Sequence, residues 1–193
     1  MPNQKFELTN QKYIHFGIIL HRIRALRDFS DVKAGSLGGW VEKSTNLSQE
    51  GSCWIYDNSM VYQDAIVMDA AQARNSCWIH NAARLRDNAI AKDSCIIQDH
   101  SDCFENCAIS CTAFVSDTAR LYGFACAYDS AGVYGKARCH GHVKIYQTAK
   151  ISGTAELTGR FKARGNAKIF EGYYDSGCVE SWSPYLIDAG LHG

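Results

Sequence analysis

Apolar positions in this chain recur neither every three to four residues, as a helix requires, nor in long alternating runs. They recur every six. Stepping by six from Cys53 to Ala167, eighteen of twenty positions are Ala, Ser or Cys, the exceptions being Val143 and Phe161. Two places further on in each hexad, from Ile55 to Ile169, all twenty positions are apolar. Two places before each small residue, sixteen of twenty are Gly, Asp or Asn, the types that enter left-handed or turn conformations at least cost. Alternation inside the hexad sends the small residue and the aliphatic inward and the residue between them outward. Each hexad therefore predicts a short strand followed by a corner.

Corners every six residues forbid a flat sheet of long strands, so the coils stack into a parallel β-solenoid. Three hexads per coil set a period of eighteen, and the sequence tests that number. At this spacing Ile55, Ala73, Ala91, Ile109, Ala127, Ile145 and Ala163 fall in one interior column, which collects all four alanines of the aliphatic slots. Cys103 and Cys139 fall together in another, on either side of Leu121. The prediction is an all-β, triangular prism.

The order aliphatic, x, Gly/Asp, x, Ala, x resembles the hexapeptide repeat of left-handed parallel β-helices, with "VYGKAR" and "ISGTAELTG" as close matches. The left hand is implied by that resemblance, which covers roughly residues 53 to 170. The stretch "HRIRALRDFSDVKAGSLGGWVEKSTNLSQEGSCWIYDNS" is similar to the cap of the YdcK-like family of phage and prophage proteins, often labelled acyltransferases. At about 4.8 Å per coil, roughly seven coils make a rod on the order of 30 Å long.

An open coil presents unpaired backbone groups, so both ends call for protection. Residues 1–40 are expected to form an N-terminal β-hairpin cap, turning at Gly17, and an entry loop with Gly35, Gly38 and Gly39. Residues 41–170 form the β-helix, with Val41 and Leu47 in its first slots. Residues 171–193, aromatic and containing Pro184, are expected to be a second cap or an interface arm.

The 193 residues are 46% hydrophobic and 21% charged, ordinary values for a soluble domain, and the net charge is zero. That balance gives no reason to bind nucleic acid. The N-terminal residues read as no export signal and no run is apolar enough to span a membrane, so the expectation is a cytoplasmic protein. Nine cysteines, an odd number, then read as reduced thiols.

The run Cys139-His140-Gly141-His142 suggests a metal or nucleophile site. The repeat instead places Cys139 inside and the two histidines on either side of a corner, with no second pair of ligands. Cys103 and Cys107 fall in interior slots and Cys111 on a corner, while Cys53, Cys77 and Cys95 substitute for alanine. No metal site is expected. The columns Asp57/Asn75/Asp93 and Asp69/Asp87/Glu105 have the oxygen chemistry of a Ca²⁺ site but only one carboxylate per coil.

The family resemblance implies an alternative: trimeric acyltransferases that bind acyl-CoA between protomers and use a histidine base. His80, His100, His140 and His142 stand on corners where such a base could act. Those enzymes, however, interrupt the prism with a loop that builds the active site, and here the hexads run on without an inserted residue. Otherwise no cofactor is expected. The leading reading is a non-catalytic interaction protein that forms dimers or trimers and binds a host or viral partner or a small ligand.

Two surface features bear on that reading. Met60, Trp78, Ile96 and Phe114 share one outward column, an unusual apolar strip and the expected interface, which the corner tyrosines Tyr122, Tyr128, Tyr134 and Tyr146 could extend. Alternatively, a terminal segment folds over the strip. Residues 57 to 117 carry nine acids against four Lys/Arg, whereas 136 to 168 carry eight Lys/Arg and one acid. Lys144, Lys150, Lys162, Arg164 and Lys168 at the basic end are candidates for an anionic ligand, with a solvated ring of charge as the plain alternative.

Overall fold

The computed structural model describes residues 4–181. It is an all-β parallel β-solenoid, an architecture that fits a left-handed β-helix, and among the described residues the only helical turn is Ser44–Asn46. The first wall begins with β1 (Phe6–His15), β2 (Ile18–Ala25) and β3 (Leu37–Val41) and continues through two-residue rungs from Met60–Val61 to Lys168–Ile169, ten strands in all. The second wall has eight rungs, Trp54–Ile55 to Cys178–Val179, and the third has seven, Ile66–Val67 to Tyr173–Tyr174. Partial coils at both ends extend the rod to about eight turns, against the seven of the hexads alone.

Through the body of the rod, each residue lies beside the one three hexads further on, as Ile55 beside Ala73 and Cys103 beside Leu121. The column from Ile55 to Ala163 is therefore continuous on the second wall. Every small and aliphatic hexad side chain is at most 5% exposed, which puts the core along the axis of the prism. Burial of the larger aliphatics stabilises the fold by about 1.5–3 kcal/mol each.

All twenty corner residues from Gly51 to Gly165 have φ between 54° and 72°. This includes Gln63, Glu105, Cys111 and Gln147, for which the left-handed region costs roughly 1–2 kcal/mol. A hydrogen-bond ladder offsets part of that cost. The corner side chain of one coil accepts the N–H of the corner residue on the next: Asp87 N donates to Asp69 Oδ2 at 3.1 Å, Glu105 N to Asp87 Oδ2 at 3.0 Å, and Gly135 N to Asp117 Oδ2 at 2.7 Å. The Asp57/Asn75/Asp93 column is used likewise, with Asn75 N on Asp57 Oδ2 and Cys111 N on Asp93 Oδ2.

The first coil is longer. Trp40 pairs with Met60 and Leu47 with Val67, a wider spacing than in the body of the rod, and the Ser44–Asn46 turn takes up the difference. The Asn46 amide secures it by donating to the carbonyls of Gln63 and Ala65, both at 2.9 Å. β1 and β2 form an antiparallel hairpin around Phe16–Gly17, and β2 pairs antiparallel with β3. Here β3 approaches so closely that a Cβ on Gly38 would lie 2.5 Å from Trp54, and one on Gly39 would lie 2.5 Å from Ile55. Trp54 occupies an outward slot yet is only 1% exposed. This departs from the simple alternation: Phe6 and Phe29 pack edge-on against its ring, at 6.3 and 5.3 Å between centroids.

At the other end the six-residue register stops at Phe170, but the coil does not. Tyr173 pairs with Glu156, one position short of the regular spacing, and Cys178 with Lys162, two positions short. The last corners are thus trimmed while the walls continue. Phe161, too large for an interior slot elsewhere, is accommodated here against Tyr174 at 5.2 Å. The remainder of the expected C-terminal arm, including Pro184, lies outside the described residues.

Candidate functional site

The outward column of the first wall carries the most concentrated chemistry. Its successive neighbours are Trp40, Met60, Trp78, Ile96, Phe114, Gly132, Lys150 and Lys168. It changes from aromatic and aliphatic at the N-terminal end to cationic at the other. Met60, Trp78, Ile96 and Phe114 are all partly buried.

The hairpin tip explains part of that burial. His15 is 6% exposed and lies 4.8 Å from the Trp78 ring and 5.4 Å from Tyr62, both edge-on. Phe16 reaches Trp78 from further out, and Tyr13 lies 5.7 Å from Trp40. Tyr13, Trp40, Asn58 and Met60 line a shallow recess of about 290 Å³. The N-terminal half of the strip thus packs against β1 and the hairpin turn, whose rings reach Trp40 and Trp78 but make no ring contact with Phe114. The Phe114 ring spreads over Gly132, where a Cβ would sit 2.4 Å from it, and stacks with Tyr134 at 5.9 Å.

His15 was not among the residues singled out by sequence, because it lies outside the repeat and only the folded hairpin brings it to the wall. Its Nε2 is buried without a hydrogen-bond partner. Burial, and then the neighbouring His80, hold its pKa below the ordinary histidine value.

The four corner histidines are not brought together. His80 stacks on Tyr62 at 5.0 Å, near His15. His100 stands exposed on its corner. His140 stacks on Tyr122 at 4.7 Å, with Nε2 at 3.3 Å from Glu156 Oε1 and Nδ1 at 3.1 Å from Thr158 Oγ1, so both ring nitrogens are engaged. His142 is exposed and stacks on Phe124 at 5.0 Å. Cys139 between them is buried in the core, which pushes its thiol pKa well above the ordinary range. Among the described residues no three His, Cys, Asp or Glu side chains converge on a point that could hold a metal ion.

The tyrosines divide similarly. Tyr122 lies between Phe104 and His140 in one ladder, Tyr128 and Tyr146 stack at 5.0 Å in another, and Tyr134 leans on Phe114. Of the basic residues, Lys144 and Lys162 are neighbours on the second wall and Lys150 and Lys168 on the first, while Arg164 pairs with Glu180. The charge is spread over separate walls, with an in-register lysine pair on each of two.

Sequence comparison adds one relative. A 51-residue stretch is 47% identical to a protein of Escherichia coli (strain K12) named uncharacterized acetyltransferase YdcK. The match covers 26% of this chain and 16% of that protein. A YdcK homologue and a solenoid built of hexads together fit a hexapeptide-repeat β-helix. No protein-family model matches the chain. No helix among the described residues is long and apolar enough to cross a membrane.

Proposed function

We propose that this chain is a non-catalytic β-helical binding protein, left-handed in its coil, that self-associates as a dimer or trimer through the outward column of its first wall. The observation that carries this reading is the unbroken run of corners from Gly51 to Gly165, every one in the same conformation, with no loop inserted to build a catalytic cleft. Ile96 and Phe114 supply the apolar anchors such an interface uses. A cytoplasmic location and a phage or prophage origin go with the resemblance, as does a host or viral partner.

Native mass spectrometry tests this reading. The wild type should run as an oligomer, and Ile96→Asp with Phe114→Asp as a monomer that keeps its β circular dichroism, since neither side chain enters the core. A monomeric wild type would overturn it.

A second reading, acetyl transfer from acetyl-CoA, is favoured by the printed name of the YdcK relative. On this chain His100 or His142 would be the base, because their rings are exposed while both nitrogens of His140 are engaged. Incubation with acetyl-CoA and a panel of amine and hydroxyl acceptors, read by mass spectrometry, separates the two. Turnover that disappears in His100→Ala or His142→Ala would establish the enzyme.

A further inference from the structure

Thr112, Thr118 and Thr148, each one place after a corner, donate their hydroxyls to the carbonyls of Asp129, Gly135 and Gly165 on the next coil. Thr158 stands one place before a corner and turns the other way. Its Oγ1 lies 3.1 Å from Nδ1 of His140 on the preceding coil, and Nε2 of that ring lies 3.3 Å from Glu156 Oε1. An ionised carboxylate only accepts hydrogen bonds, so Nε2 carries the ring proton. Nδ1 of the neutral ring is then an acceptor, and Thr158 donates to it. Hydroxyl, base and carboxylate are thus joined in the order that activates a hydroxyl as a nucleophile.

The surroundings hold this order. The Tyr122 ring stacks on His140 at 4.7 Å and 8°, which fixes the plane of the imidazole. Glu156 sits directly beside Arg138 on the adjoining rung, yet among the described residues its carboxylate pairs with His140 and not with that guanidinium. The Gly159 N–H, next to the hydroxyl in the chain, finds no acceptor among the described residues. In the same corner column Asp69 and Asp87 receive the N–H groups of Asp87 and Glu105, but Gly141 has no side chain to receive this one. A Cβ on Gly141 would lie 2.9 Å from the Gly159 nitrogen, so the N–H opens toward the coil that carries His140. An N–H on the residue after a nucleophile is one that stabilises the oxyanion in acyl transfer. The His140 and Glu156 side chains are 25% and 38% exposed, within reach of a small molecule from solvent.

We infer that Thr158 is an acylation site, at which the hydroxyl takes the acyl group of a small activated ester. Thr158 Oγ1 forms a bond to the ester carbonyl carbon, and its proton passes to His140 Nδ1. The bond from that carbon to the leaving oxygen then breaks, and the leaving oxygen takes the proton from the imidazolium. Between the two steps the Gly159 N–H faces the charge on the carbonyl oxygen. Glu156 is a positioning residue that keeps the other ring proton on Nε2. The engagement of both His140 nitrogens, which withholds the ring from an outside acceptor, is what directs it to Thr158. One acyl group per chain needs neither a second substrate nor a cleft, so the inference goes beyond the binding reading without opposing it.

Mixing the full chain with p-nitrophenyl acetate tests it, by release of p-nitrophenol and by peptide mapping of the acetyl group. Release should begin with one equivalent per chain, and the acetyl group should be found on Thr158. Thr158→Val should remove it and Thr158→Ser restore it. His140→Ala should slow acylation at least about a hundredfold, the low end for a positioned base. Glu156→Gln should lower the limiting rate at least about tenfold while the ester concentration at half-saturation stays unchanged, a split that a merely structural carboxylate would not produce. Acetylation confined to lysines or to the exposed Cys111 and Cys178, or a Thr158→Val variant that releases p-nitrophenol at the wild-type rate, would overturn the inference. If Thr158→Val does not fold, the location of the acetyl group on the wild-type chain decides.

Discussion

His15 lies edge-on to Trp78, with ring centroids 4.8 Å apart and planes at 76°. This contact joins the antiparallel end of the molecule to the regular solenoid, and it does so through a titratable ring whose Nε2 is buried and unpaired. Hairpin docking is therefore linked to pH. Burial and the proximity of His80 depress the His15 pKa in the folded state, so between that lower value and the ordinary one of about 6.5 the undocked or unfolded chain binds more protons. Stability must rise with pH across that window and fall as acid is added through it. NMR titration of the His15 ring should give a pKa below 6.5, and amide exchange in residues 6–25 should accelerate as pH drops through the same range. His15→Phe should remove most of that acceleration; an unchanged pH profile would detach the effect from His15.

Lys5 presents a different buried charge. It is 0% exposed, and its ammonium donates to the carbonyls of Glu50 and Cys53 at 3.1 Å each and contacts Cys53 Sγ at 3.1 Å. Desolvation lowers the lysine pKa and raises that of the Cys53 thiol, and the attraction between the two groups opposes both shifts. Lys5→Met keeps the stem but leaves those carbonyls unsatisfied, at about 1–3 kcal/mol for a buried polar group. Urea unfolding should show that loss, with the slope of the transition unchanged. Lys5→Ala should cost more, because it also empties the space beside Phe29, which the ammonium overlies at 5.4 Å.

Ala89 tests the interior. It is 0% exposed, in the small-residue column between Ala71 and Cys107, with the next coil about 4.8 Å away on either side. Ala89→Leu should overpack the prism and destabilise it by about 1–3 kcal/mol in denaturant melts. A neutral result would mean that the walls can spread locally, which the continuous backbone ladder at Ala89 and Ile90 opposes.

The body of the rod was legible because it repeats. A rule derived from Ala, Asp and Gly spacing carried over to Gln63, Glu105, Cys111 and Gln147, whose own preferences run against the left-handed corner they occupy. Period fixed their place where residue type did not. The role of the corner acids was legible only in part: their turn preference is a property of single residues, whereas acceptance of an N–H from the next coil exists only after stacking. The hairpin lying over Trp78 was legible only as the alternative of a terminal segment folding over the strip, and the burial of Trp54 and the anchoring of Lys5 were not legible at all, for one reason. All three depend on residues 5–40, which have no internal repeat against which to set their register. The packing of the hairpin on Trp78 also bears on the expected strip, since its rings reach Trp40 and Trp78 but make no ring contact with Phe114.

The trimming of the last corners, by one position where Tyr173 meets Glu156 and by two where Cys178 meets Lys162, has a meaning beyond the single chain. A solenoid of constant thread is a screw that another copy could extend indefinitely, rung on rung. Here the thread changes at one end, while at the other the first wall turns antiparallel through β2 and β1. Head and tail are not congruent, so copies placed end to end find no common register.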